Sequence, residues 1–169
     1  MKNCWHWFGR SVTVFNTFMG YLSAVLIIIC TIALTYEVVV RYFFNAPTNW
    51  SLEFNIFMLV ASTFLAAAYT QVKRGHVGIG LLDTLMSARW NRFRFLVADL
   101  ASLALCLFVS YYTWKFFYMV WDRGWVTESP WAPKLWIPYF FMAFGLSTLC
   151  LQYVVQIVDE QLVPLWIGE

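Results

Sequence analysis

Long apolar stretches with few charges alternate with short polar connections along this chain. A helix needs roughly 20 mostly apolar residues to cross the hydrocarbon core of a bilayer. Four stretches reach that length, and they predict spanning helices at about residues 16–43, 51–73, 93–121 and 135–158. The predicted fold class is therefore an all-α integral membrane protein with four transmembrane helices, and residues 1–169 form a single membrane domain.

The beginning of the chain carries a second pattern. Trp5, Phe8, Val12 and Phe15 recur at helical spacing. This spacing predicts either a short interfacial helix at about residues 3–14 or an extension of the first span, and both alternatives stay open at this point.

Composition restricts the class of protein. Of the 169 residues, 62% are hydrophobic and 12% are charged. A soluble domain of this length cannot hide so much apolar surface, so a bilayer must be part of the solvent. The net charge of +2 is too small to indicate a nucleic-acid partner. The four cysteines are scattered without a CxxC pair, so they predict neither a disulfide framework nor a zinc site.

The lysines and arginines predict an orientation in the membrane. With an even number of spans, the termini and the middle loop share one side, and that side holds more cations: Lys2, Arg10, Lys73, Arg74, Arg89, Arg92 and Arg94. The opposite side holds Arg41, Lys115, Arg123 and Lys134. Because cytoplasmic loops carry the excess of Lys and Arg, both termini are predicted to be cytoplasmic.

Small residues spaced four apart predict close helix contacts, because membrane helices pack through small side chains. Such spacing occurs in all four spans: Gly20 and Ala24, Ser62 and Ala66, Ala98 and Ser102, and Ala143 and Ser147.

The sequence holds no recognisable catalytic pattern. Its two histidines, His6 and His76, lie outside the predicted spans, so a four-helix haem protein with paired imidazole ligands is not expected. No nucleophile elbow, HExxH motif or phosphate-binding glycine loop occurs. The chain is therefore predicted not to be an enzyme and to bind no cofactor or metal.

Ionisable residues at membrane depth are candidates for function. Glu37 and Arg41 are four residues apart on one helix face, so they can form an ion pair near the interface. A second interpretation is that this pair anchors the following loop onto Trp50 and Glu53 and fixes a surface for a partner. A third is that Glu37 couples transport to a proton or cation. Asp99 in the third span is expected to be reached by water or paired with a nearby arginine.

The connection between spans three and four is rich in proline and tryptophan. Pro130 restricts the backbone, while Trp131 and Trp136 offer rigid apolar area. Exposed aromatic rings on a stiff loop are typical of a docking surface, although the same rings also suit anchoring at the membrane interface.

These features together resemble the small membrane subunit, the DctQ type, of tripartite ATP-independent periplasmic (TRAP) transporters. The resemblance is carried by EVVVRYFFN (37–45), PTNWSLE (47–53), KRGHV (73–77), SPW (129–131) and LWIPY (135–139). It extends over nearly the whole chain.

The resemblance implies a division of labour. In such transporters a large membrane subunit carries the substrate and sodium sites and moves as an elevator, and the small subunit is a static scaffold beside it. A periplasmic substrate-binding protein delivers an organic acid. The implied location is the bacterial inner membrane, and the implied partners are these two proteins and membrane lipid.

The candidate structural and partner-interface residues are Glu37, Arg41, Tyr42, Trp50, Glu53, His76, Asp99, Pro130, Trp131 and Trp136. His76 is expected to stabilise the turn after the second span. The alternative function is a self-contained, homo-oligomeric small transporter that uses Glu37 as its coupling carboxylate.

Overall fold

A computed structural model describes residues 2–73 and 88–162. In these ranges the chain forms α1 (Lys2–Phe44), α2 (Ser51–Val72), α3 (Ala88–Arg123) and α4 (Trp136–Gln156), and α4 continues into a π-helical segment, Ile157–Leu162. Each of the four helices is long and apolar enough to cross a membrane. The predicted all-α fold with four spans is confirmed.

The beginning of the chain belongs to the first helix. α1 has 43 residues and continues without a break through residues 3–14. At 1.5 Å per residue its length is about 65 Å, which is roughly twice the thickness of the hydrocarbon core. Residues 3–14 are therefore a helical extension of the first span, and their depth relative to the membrane surface stays a prediction.

The helices are arranged around α4. α2 packs on one side of α4 and α3 packs on another, while α1 packs mainly against α2. Consequently α4 is the most buried of the four spans, and α1 and α3 are the least buried.

Small residues allow close approach at these contacts. A Cβ atom added at Gly145 of α4 would overlap the backbone of Phe64 in α2, and one added at Gly20 of α1 would overlap the Tyr69 ring. The hydroxyl of Ser23 donates to the carbonyl oxygen of Ser62 at 2.7 Å, which joins α1 to α2. The small residues predicted at helix contacts thus include Gly20 and Ser62. Ala98, by contrast, is exposed.

Buried carboxamides connect the helices near one end. Asn16 Nδ2 donates to Gln152 Oε1 at 2.9 Å. Gln71 Nε2 donates to Gln156 Oε1 at 2.7 Å, and Gln156 Nε2 donates to the carbonyl oxygen of Gln71 at 2.9 Å. Because no water competes in the hydrocarbon region, such bonds fix which faces of the helices meet.

Candidate functional site

Eight of the ten candidate residues lie at one end of the bundle. α1 ends where α2 begins, and α3 ends where α4 begins, so the two described connections lie at the same end. We call this the corner end. It holds the Glu37 corner, residues 37–55, and the outer hairpin, residues 124–135.

The Glu37 corner is organised around one carboxylate. Glu37 Oε1 accepts a hydrogen bond from Arg41 Nη2 at 2.7 Å and one from the backbone N–H of Thr48 at 3.4 Å. The hydroxyl of Thr48 donates to Glu37 Oε2. Glu37 is buried, with 8% of the residue exposed, whereas 64% of the Arg41 side chain is exposed. The corner therefore holds its carboxylate inside and presents its guanidinium outside.

The backbone brings Thr48 back to Glu37. Asn45 has a φ of +53°, the left-handed conformation that commonly ends a helix and that Asn tolerates better than most residues. Trp50 then precedes α2, and its carbonyl oxygen accepts from the N–H of Phe54 at 3.1 Å. The first turn of α2 is closed by Asn55 Nδ2, which donates to the carbonyl oxygen of Ser51 at 2.7 Å.

The predicted ion pair is present, but the loop anchor uses another residue than expected. Glu37 holds the loop through Thr48, which was not among the predicted site residues. Trp50 instead packs edge-on against Phe54, with ring centroids 5.7 Å apart. Glu53 is half-buried in the first turn of α2. A Thr that follows a helix-ending Asn by three residues is the signal that could have indicated this contact.

Tyr42, the remaining candidate at this corner, is 82% exposed. Its ring meets the ring of Phe43 edge-on at 5.3 Å between centroids. It is thus available to a partner or to lipid.

The outer hairpin is an ordered loop. Val126 and Lys134 form an antiparallel bridge, and the N–H of Thr127 donates to the carbonyl oxygen of Pro133 at 3.1 Å. At the tip, Ser129 Oγ accepts from the N–H of Ala132 at 3.2 Å. These bonds hold the tip in one shape.

The two tryptophans predicted to dock a partner differ in exposure. Trp131 at the hairpin tip is 47% exposed, and Pro130 beside it is exposed as well. Trp136 is half-buried and packs against Trp121, with ring centroids 4.8 Å apart. Trp131 is therefore available for contact, whereas Trp136 joins α3 to α4.

Asp99 does not belong to the corner end. Asp99 is buried in the first half of α3, with 7% exposed, so it is packed against protein rather than placed on an outward face. His76 lies outside the described residues. Within the described ranges no group of three or more His, Cys, Asp or Glu side chains is arranged to hold a metal ion.

In the described residues, four helices long and apolar enough to cross a membrane, with ordered connections at one end, define a multi-pass membrane protein. The family described as "Tripartite ATP-independent periplasmic transporters, DctQ component" matches residues 30–162. This match covers most of the chain, so the chain belongs to the DctQ family. It is a small permease subunit of a TRAP transporter and an inner-membrane protein, as the sequence resemblance implied.

One curated relative supports the same assignment. The chain is 23% identical to the C4-dicarboxylate TRAP transporter small permease protein DctQ of Vibrio cholerae serotype O1, and the alignment covers 88% of this chain and 73% of the relative. DctQ proteins are transporter components that work with a large membrane subunit and a periplasmic binding protein, and they are not known as enzymes.

Proposed function

We propose that this chain is the static scaffold subunit of a sodium-coupled importer of organic acids. In this proposal it packs against a large elevator-type membrane subunit and helps to dock a periplasmic substrate-binding protein at the corner end. The main observation behind this proposal is that polar side chains of the bundle form hydrogen bonds with neighbouring helices and loops.

The scaffold part is supported by the interior of the bundle. Asn16 bonds to Gln152, and Gln71 bonds to Gln156, in each case between two different helices. These bonds stabilise one fixed packing of these helices, as expected of a subunit whose internal arrangement does not change during transport.

The docking part is supported by the two ordered connections. Arg41 and Trp131 are both exposed at the corner end. Arg and Trp are enriched among residues that dominate binding energy in protein interfaces, and a preformed loop loses little entropy on binding. The corner end is predicted to face the periplasm, where the binding protein is located.

The self-contained transporter is disfavoured by the state of Glu37. A coupling carboxylate must bind and release a cation or proton during each cycle. Both carboxylate oxygens of Glu37 are engaged, one by Arg41 and both by Thr48. Glu37 is thus committed to the loop.

The class of substrate is supported by the relative. That protein is described as part of a C4-dicarboxylate TRAP transporter, so C4-dicarboxylates are the first organic acids to test.

Reconstitution in proteoliposomes tests the proposal. With a sodium gradient, uptake of a radiolabelled C4-dicarboxylate should require three proteins: this chain, the large membrane subunit and the binding protein. Sodium-driven uptake by this chain alone would overturn the scaffold function.

A pair of tryptophan variants tests the docking part. Trp131→Ala should weaken association of the binding protein with the reconstituted membrane complex. Trp90→Ala is the matched control, because Trp90 is 63% exposed but lies near the beginning of α3, at the other end of the bundle. Equal effects of the two variants would contradict docking at the corner end.

A further inference from the structure

The outward face of α3 carries polar groups that do not suit lipid. Tyr111 and Tyr112 are 60% and 53% exposed. Lys115, one turn further along, is also exposed, and its Nζ lies 5.8 Å from the centroid of the Tyr111 ring. The lysine therefore extends along the helix towards the tyrosine, away from the end of α3 at Arg123.

Contacts with the neighbouring helices fix the depth of this face. The indole N–H of Trp114 in α3 donates to Ser147 Oγ in α4 at 2.9 Å. Gly145, two residues before Ser147 in α4, contacts the backbone of Phe64, which lies near the middle of α2. Tyr111 lies one turn before Trp114, so its hydroxyl is near the middle of the membrane-crossing part of the bundle.

In the described part of the chain these polar groups have no oxygen acceptor, and Lys115 lies against the Tyr111 ring. Within residues 2–73 and 88–162, no carboxylate lies within ion-pair distance of Lys115, and neither tyrosine hydroxyl makes a hydrogen bond. An unpaired cation or hydroxyl in hydrocarbon is unfavourable, and charged side chains at membrane depth normally face protein or water. The α3 face is therefore expected to be covered by a molecule that supplies acceptors.

The outward face of α1 differs from the α3 face in the chemistry of its exposed side chains. Residues 11–36 contain no charged residue, and the exposed side chains there are largely aliphatic, among them Val25, Ile28 and Ile32, with Tyr21 as an exposed ring. Exposed threonines there, such as Thr31, donate to a carbonyl oxygen of their own helix. This stretch carries no cation that requires an acidic partner, so lipid chains suit it.

A groove lies beside the polar face. It has a volume of about 530 Å³ and is lined on α3 by Phe108, Val109, Tyr112 and Phe116 and on α4 by Tyr139 and Met142. An apolar groove next to a cation matches a helix that carries both an aliphatic and an acidic side chain.

We propose that the α3 face formed by Phe108, Tyr111, Tyr112 and Lys115 binds a transmembrane helix of the large membrane subunit. An acidic side chain of that helix pairs with Lys115, and an aliphatic side chain fills the groove. This inference rests on the proposed scaffold function and adds to it the surface and the chemistry of the contact.

Two other occupants fit the observations less well. A lipid chain has no acceptor near the membrane centre, because phosphate groups lie at the surface. A second copy related by a two-fold axis along the membrane normal would place Lys115 against its own equivalent. The α3 sequence from residue 100 to residue 121 contains no acidic residue to pair with it.

Site-specific photo-crosslinking tests the proposal in the intact complex. The chain carries a C-terminal tag, is co-expressed with the large membrane subunit, and has p-benzoylphenylalanine at position 111 or at position 25. Position 111 should crosslink to the large subunit, identified by mass spectrometry. Position 25, on the aliphatic face of α1, should not. A crosslink from position 111 only to lipid or to a second copy would overturn the inference, as would a crosslink to the large subunit from position 25 alone.

Co-purification before irradiation distinguishes a failure of the proposed α3 contact from a failure of the scaffold function. If the large subunit co-purifies but crosslinks elsewhere, the assignment of the α3 face fails and the scaffold function stands. If it does not co-purify, both fail.

Substitution of the lysine gives an independent test. Lys115→Met keeps the length of the side chain and leaves an acidic partner unpaired, so the ratio of large to small subunit after detergent washing should fall about tenfold or more. Lys115→Arg should retain most of the complex. Arg123→Met, at the end of the same helix, is the matched control and should change the ratio less than twofold. An unchanged ratio for Lys115→Met would refute the ion pair.

Discussion

At the scale of single residues, Glu37 determines how the chain turns between the first two spans. Its carboxylate binds one residue of its own helix, Arg41, and one residue of the loop, Thr48. The helical partner is exposed and the loop partner closes the turn. The contact to Thr48 should therefore contribute more to stability than the contact to Arg41, because an exposed ion pair is screened by water and salt.

Variants of the Glu37 corner should show that the contact to Thr48 contributes more to stability than the contact to Arg41. Glu37→Gln and Thr48→Val each keep the shape of the side chain, and each should lower the melting temperature of the purified chain in detergent. Because the two residues share one interaction, the double variant should melt no lower than the less stable single variant. Arg41→Ala should have a smaller effect than either. Additive losses for Glu37→Gln and Thr48→Val would show that they act separately.

The corner also shows how far local sequence reasoning extends. The Glu37–Arg41 pair was predicted correctly because helical geometry alone places side chains four residues apart on one face. The Thr48 contact was not predicted. It depends on the left-handed backbone at Asn45 and on the path of the following loop, and neither is specified by the spacing of two charged residues.

At the scale of the helices, close approach of backbones holds α2 against α4. Gly145 lies directly on the backbone of Phe64, and no side chain there can rotate away to make room. Helix association in membranes depends on such contacts, because lipid is as apolar as the helix surfaces.

Gly145→Ala should separate these helices. The added methyl group must displace backbone, so the free energy of unfolding in mixed micelles should fall by about 2 kcal/mol, although Ala favours the helix more than Gly. Gly9→Ala is the control, since its nearest neighbours would be 3.2 Å away and include side-chain atoms. It should cost less than about 1 kcal/mol. Equal losses for the two variants would argue against the backbone contact.

The hydrogen bond between Asn16 in α1 and Gln152 in α4 is a second interaction that holds two helices together. Gln152→Leu should lower the free energy of unfolding by about 1 kcal/mol, because it removes the acceptor of Asn16 within the bundle. Asn16→Leu combined with Gln152→Leu should recover part of the loss, since no buried donor is then left unpaired. Thr31→Val, where the hydroxyl bonds only within its own helix, should change the unfolding free energy little. A double variant that loses the sum of both single losses would disprove direct pairing.

The helices themselves were predictable, but their partners were not. Four spans follow from the length of the apolar stretches and the size of the bilayer. Asn16, Gln71, Gln152 and Gln156 were not singled out, because a carboxamide inside an apolar stretch does not indicate which helix it faces. The relation between α2 and α4, separated by the third span in sequence, had to come from the three-dimensional arrangement.

At the scale of the whole molecule, the two ends of the bundle differ. The corner end holds the Glu37 corner and the outer hairpin, and the opposite end holds the carboxamide pairs and the beginning of α1. In the sequence, the connections at the corner end contain fewer lysines and arginines than the termini and the middle loop. The positive-inside rule therefore predicts that the corner end lies in the periplasm, where a binding protein could reach Trp131.

Accessibility of single cysteines should confirm this orientation. In a background with the four native cysteines replaced by alanine, Glu128→Cys in the exposed hairpin tip should react with a membrane-impermeant maleimide in intact spheroplasts. Lys73→Cys, at the end of α2, should react only after the membrane is permeabilised. Retained co-purification of the large subunit serves as the control for correct assembly. Labelling of position 73 in intact spheroplasts would reverse the predicted topology and would place Trp131 on the side of the membrane that a periplasmic protein cannot reach, so the same measurement also decides whether docking at the corner end is possible.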